Sequence, residues 1–76
     1  MKAYVLINIR NGEGMAVVRQ LRRIEGVTGA NFTFGPYDAV AIVEAENTRK
    51  VGSIVHDDIQ PIPGVLETLS CLAVDE

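Results

Sequence analysis

A four-residue signature occurs twice in this chain. Ile24-Glu25-Gly26-Val27 and Ile62-Pro63-Gly64-Val65 agree at three of four positions and stand 38 residues apart, half the length of a 76-residue sequence. Each copy follows a stretch of helical periodicity and precedes a β-branched stretch, so each marks a helix returning to a strand. Two such returns in so short a chain predict two βαβ halves within one domain, residues 1–76, because the length leaves no room for a second.

The rest of the chain fits that frame. Residues 3–9 (Ala-Tyr-Val-Leu-Ile-Asn-Ile) are β-branched and aromatic and read as a first strand. Asn11-Gly12-Glu13-Gly14 is a turn. Val17, Val18, Leu21 and Ile24 then recur at helical spacing, and Gly26 is placed as the helix C-cap. Residues 27–34 form a looser second strand, Gly35-Pro36-Tyr37-Asp38 a turn, and residues 39–45 a third strand. Asn47 caps a second helix in which Val51, Ile54, Val55 and Ile59 share a face; Pro61 and Pro63 end it. Residues 65–74 are the last strand.

The order βαββαβ with right-handed crossovers gives a four-stranded antiparallel sheet with both helices on one face, an α+β sandwich of the ferredoxin-like kind. The first and third strands are apolar on both faces and are expected at the centre; the second and fourth carry Asn31, Thr33, Glu67, Thr68 and Ser70 and suit the edges. The face without helices would then leave large aliphatic side chains in water, where burying each is worth about 1.5–3 kcal/mol. Such a patch marks an interaction surface, and sheet-to-sheet dimerisation is its simplest cover, forming two-fold-related clefts at the rim. A domain this small buries only about 60% of its unfolded surface. The chain has one cysteine, so no internal disulfide assists, and oligomerisation is the remaining support.

Charge and composition exclude several roles. The net charge is −3 and the pI near 5.0, unsuited to neutralising phosphates, so direct nucleic-acid binding is not expected. No apolar run approaches the roughly 20 residues that span a bilayer. The opening Met-Lys-Ala-Tyr-Val-Leu-Ile-Asn-Ile-Arg lacks a small-residue cleavage site and is broken by Asn8 and Arg10, so a cytoplasmic strand is expected there rather than a signal peptide.

Gly35-Pro36-Tyr37-Asp38 combines free backbone, an aromatic ring and a carboxylate at a sheet end. As a pocket, its amides would take a ligand carboxylate and Asp38 an ammonium; as an ordinary turn, Asp38 would bond its own backbone. Thr68 and Ser70 share a face of the last strand and could offer hydroxyls at a dimer seam, or be the polarity of any edge. Arg19, Arg22 and Arg23 suit a solvated helix face. Gly12-Glu13-Gly14 lacks the third glycine of a dinucleotide loop, Val17 standing in its place, and Glu13 would repel a pyrophosphate. In His56-Asp57-Asp58, neighbours near a helix end point different ways, so no metal site is expected. The single histidine lacks an evident partner for acid–base catalysis, and Cys71 is expected buried and inert. No catalytic residues and no cofactor are assigned.

Three segments carry a family resemblance: the opening Ala-Tyr-Val-Leu-Ile-Asn, the turn Gly35-Pro36-Tyr37-Asp38-Ala39-Val40, and Ile62-Pro63-Gly64-Val65 leading to Thr68. Together, in this order, they resemble the effector-binding or RAM domain (regulation of amino-acid metabolism) of Lrp/AsnC transcription regulators, over essentially the whole chain. The resemblance implies a homodimer formed through the sheets, or a higher ring of dimers, binding a free amino acid between subunits. It implies ligand contacts from Gly35, Tyr37 and Asp38 in the turn and from Thr68 and Ser70 on the last strand, with Leu72 and Ala73 flanking. Pro36 departs from the acidic residue more usual in the family and removes a backbone donor. Full-length members carry a helix-turn-helix before this module. The chain starts at the module's first strand, so it resembles the stand-alone form, expected to modulate transcription through mixed assembly with a full-length Lrp/AsnC regulator or to sense amino acids in some other way. A small dimeric ferredoxin-like enzyme and a purely structural oligomerisation module are the alternatives.

Overall fold

The computed structural model describes residues 1–75; Glu76, the last residue of the expected domain, lies outside them. The strands are β1 (Lys2–Ile9), β2 (Val27–Phe32), β3 (Ala39–Glu44) and β4 (Val65–Leu72), and the first helix is α1 (Gly14–Leu21). The second helix, α2 (Thr48–Ser53), runs straight into a π-helical segment, Ile54–Ile59. The sheet order is β2-β3-β1-β4, antiparallel throughout, so the two doubly apolar strands do occupy the centre and the polar ones the edges.

The core lies between the sheet and the helix layer. Ala3, Val5, Ile7 and Ile9 of β1 and Ala39, Ala41 and Val43 of β3 point inward, alternating as strand geometry requires, and meet Val17, Val18 and Leu21 of α1. Val51, Ile54, Val55 and Ile59 are all buried, as their spacing predicts. Asn47 caps α2, its Oδ1 accepting from Lys50 N at 2.9 Å. The π-helical turn was not anticipated; it is closed by Gln60 N donating to Val55 O at 2.9 Å. The wider turn carries Ile54, Val55 and Ile59 inward together.

The repeated signature forms the same turn twice. Val27 N donates to Ile24 O, and Val65 N to Ile62 O, both at 3.1 Å. Gly26 and Gly64 sit third in their turns with φ of 98° and 102°, which an L side chain resists, and Pro63 occupies the second position suited to its fixed φ. Gly26 is therefore a turn residue and not the helix C-cap expected: α1 ends at Leu21, and two i→i+3 bonds, Arg23 N to Gln20 O and Ile24 N to Leu21 O, tighten the chain toward the turn. Strand ends differ likewise. β2 stops at Phe32, where the chain enters the turn closed by Thr33 N donating to Asp38 O, and β4 stops at Leu72 rather than at residue 74.

None of the described residues covers the face away from the helices. Register places Ile42, Tyr4 and Cys71 in one row across β3-β1-β4, and Val40, Leu6 and Leu69 in the next. Polar pairs bound this rectangle. Asn8 Nδ2 donates to Glu67 Oε1 at 3.2 Å at one end, and Lys2 faces Glu44 at the other. Cys71 is exposed here, not buried as expected, because none of the described residues packs on its face of the edge strand. No helix of the described residues is long and apolar enough to cross a membrane.

Candidate ligand-binding site

The β2–β3 turn is fixed from within. Thr33 Oγ1 donates to Tyr37 O at 2.8 Å, and Asp38 N donates to Ile7 O at 2.9 Å. The Asp38 carboxylate accepts from Ile9 N at 2.7 Å through Oδ2. That bond reaches 29 residues back to β1, a partner that neither sequence-level reading of Asp38 foresaw. Among the described residues nothing donates to Oδ1, and the backbone N–H groups of Gly35 and Tyr37 have no acceptor. The turn thus keeps one carboxylate oxygen and two amides available beside a half-buried tyrosine.

The β4 residues occupy a different place. Thr68, Ser70 and Leu72 lie opposite Ile7, Val5 and Ala3, hence on the helix side of the sheet and not on the open face where a sheet-to-sheet seam would run. Thr68 Oγ1 accepts from Gln60 Nε2 at 3.1 Å. Ser70 and Leu72 line a cleft of about 290 Å³ between β4 and α2, with Val51, Val55, His56 and Gln60 on the helix side. Ala73 lies just past the strand, its N–H donating to Lys2 O at 2.9 Å, and alternation turns it away from Leu72.

The seven expected residues therefore form two groups. β1 runs between β3 and β4, and two strand spacings separate the turn's end of β3 from β4 by roughly 10 Å. Of the expected β4 residues, Thr68, paired with the Ile7 whose carbonyl accepts from Asp38 N, lies nearest the turn. Sequence reasoning missed the helix wall of the cleft. Its signal was Gly52, His56 and Gln60 at spacings of four, one stripe of α2 and the π turn facing Ser70 and Leu72. His56 belongs to that wall. Asp57 and Asp58 do not line it, and no group of three or more metal-ligating side chains occurs among the described residues. Arg22 donates from Nε to Ala30 O at 3.1 Å, so one member of the arginine cluster ties α1 to β2.

Comparison with known proteins places the fold. A crystal structure from Thermus thermophilus superposes with a TM-score of 0.93 at 28% identity, covering 99% of this chain and 94% of that one. A Neisseria meningitidis transcriptional regulator, solved in complex with L-Met, gives a TM-score of 0.87 at 17% identity over 99% of this chain and 50% of its own, a likeness of fold. An uncharacterized HTH-type transcriptional regulator of Pyrococcus abyssi is 32% identical over 76 residues, 96% of this chain and 51% of the relative. The chain spans about half the length of the curated relatives it matches. The model of the Lrp/AsnC ligand binding domain matches residues 2–76, and the chain belongs to that family.

Proposed function

We propose that this chain is a regulatory module that senses a free amino acid at the interface between copies of itself. The observation that carries the reading is the division of the site. The turn offers Asp38 Oδ1 and the amides of Gly35 and Tyr37, suited to an ammonium and a carboxylate, and β4 offers Thr68, Ser70, Leu72 and Ala73 about two strands away. A ligand the size of an amino acid is held by both groups when the turn of one copy meets the β4 edge of another. The polar-rimmed apolar rectangle on the open sheet face supports a homodimer as the basic unit, with a ring of dimers bringing turns and edges together. The ligand then biases assembly by its preference for the closed arrangement. Transcription is modulated through mixed assembly with a full-length Lrp/AsnC regulator. The L-Met complex of the Neisseria regulator is consistent with an amino acid as ligand. Membership of a ligand-binding family of transcriptional regulators supports regulation over catalysis.

The Asp38–Ile9 bond favours one other reading, a purely structural oligomerisation module in which the turn only fixes the sheet end. Titration calorimetry of the chain with each proteinogenic amino acid, paired with light scattering of the same samples, separates the two. Saturable binding accompanied by a change in assembled mass supports sensing. Heat-silent titrations at millimolar concentrations, with unchanged mass, leave the structural module.

A further inference from the structure

We infer that the cleft between α2 and β4 receives an uncharged, apolar amino-acid side chain, and that Gly52 is the residue that keeps it open. The inference rests on the sensing role proposed above and specifies the ligand's class. At about 290 Å³ the cleft falls just below the ~300–1,000 Å³ of sites for drug-sized molecules, a scale suited to one amino acid. Val51, Val55 and Leu72 give it an apolar wall. His56, Gln60 and Ser70 stand around them, and among the described residues no Asp, Glu, Lys or Arg lines it. A charged side chain entering there would lose water without gaining a counter-ion. The neighbouring cleft of about 310 Å³ is the opposite case. Glu25, Glu44, Glu46 and Asp58 line it, and it includes none of the β4 residues.

Gly52 supplies an independent reason. It lies inside α2, exposed, on the wall of the cleft. Its φ is not positive, and a Cβ built on it would have no atom within 4 Å. Neither backbone conformation nor packing calls for glycine, and glycine inside a helix is less stable than alanine. Any larger side chain on this wall would project into the space above Ser70 and Leu72. The glycine weakens the helix and leaves that space free.

The test is titration calorimetry of L-leucine, L-methionine, L-aspartate and L-lysine against the wild-type chain and Gly52→Leu, with melting temperatures for these and for Gly52→Ala. The wild type is expected to bind leucine or methionine at least about tenfold more tightly than aspartate or lysine. Gly52→Leu is expected to lose about tenfold or more of that affinity without a lower melting temperature. Gly52→Ala is expected to melt about 4 °C higher. Should Gly52→Leu fail to fold, Ser70→Leu narrows the cleft from the exposed strand and is expected to show the same loss. Tighter binding of aspartate or lysine, or wild-type affinity in the narrowed variants, overturns this inference and leaves the sensing role standing. A wild type that binds no amino acid at all removes the sensing role, and this inference with it.

Discussion

Two seams join the helix layer to the edge strands, and they are closed differently. Between α1 and β2, Phe32 lays its ring over the first turn of the helix, where a Cβ on Gly14 would collide with it. Arg22 adds its bond to Ala30 O. Between α2 and β4, Gly52 faces empty space, and the Gln60–Thr68 hydrogen bond spans an exposed edge. The backbone halves are near copies, with the same strand roles and the same glycine turns. Their asymmetry resides in side chains and in the π turn that lengthens the second helix. A duplicated scaffold thus carries two seams of the same backbone design, one filled and the other left open.

The strongest way to break this comparison is to attack the two helices at their anchors. Leu21→Ala and Ile59→Ala remove fully buried side chains from the first and second halves, and each is expected to cost about 2–5 kcal/mol in urea unfolding. A loss for Ile59→Ala well below that of Leu21→Ala would mean that the open seam is loose packing rather than a kept cavity. Asp38→Ala comes next. It leaves Ile9 N without its charged acceptor and is expected to cost about 1.5–3 kcal/mol, with Asp38→Asn recovering part of the loss. An unchanged unfolding midpoint would show that the carboxylate is free for other duties. Gly26→Ala and Gly64→Ala probe the symmetric part. Both positions have positive φ and close neighbours, Ile54 for the first and Glu13 and Val17 for the second. Each is expected to cost about 1–2 kcal/mol, and unequal losses would show that the turns only look alike. The seams themselves give the smallest effects. Arg22→Ala is expected to cost about 1 kcal/mol and Thr68→Val about 0.5 kcal/mol or less, measured by thermal unfolding.

Much of this architecture is legible in the sequence because it depends on local rules. Periodicity gives the element order, Asn47 announces a cap, and the doubly apolar composition of residues 3–9 and 39–45 identifies the central strands. What escaped depends on partners distant along the chain. The acceptor role of Asp38 needs Ile9, and the exposure of Cys71 depends on a face that none of the described residues covers. The early end of α1 and the π turn follow from how side chains settle against the sheet. The site was half legible. Residue chemistry points to the turn and to Thr68 and Ser70, and the family resemblance adds Leu72 and Ala73, but their separation by β1 is a matter of strand order, and the helix wall opposite Ser70 and Leu72 carries no motif.

The strand order has a consequence for how the chain comes to be folded at all. Each half lends its outer strand to the other half's central strand: β2 pairs with β3, and β4 with β1. Each half's turn glycine is gripped in the same reciprocal way, Gly26 O by Glu44 N at 2.8 Å and Gly64 O by Arg10 N at 2.7 Å. Neither half can complete a sheet alone, and the four-stranded sheet is complete only when the last strand arrives and closes the longest loop. Folding is then a single cooperative event, slower than a helical bundle of this size would allow. A chain cut in the β2–β3 turn, between Gly35 and Pro36, is expected to yield two fragments that are each unfolded in isolation and structured only as a pair.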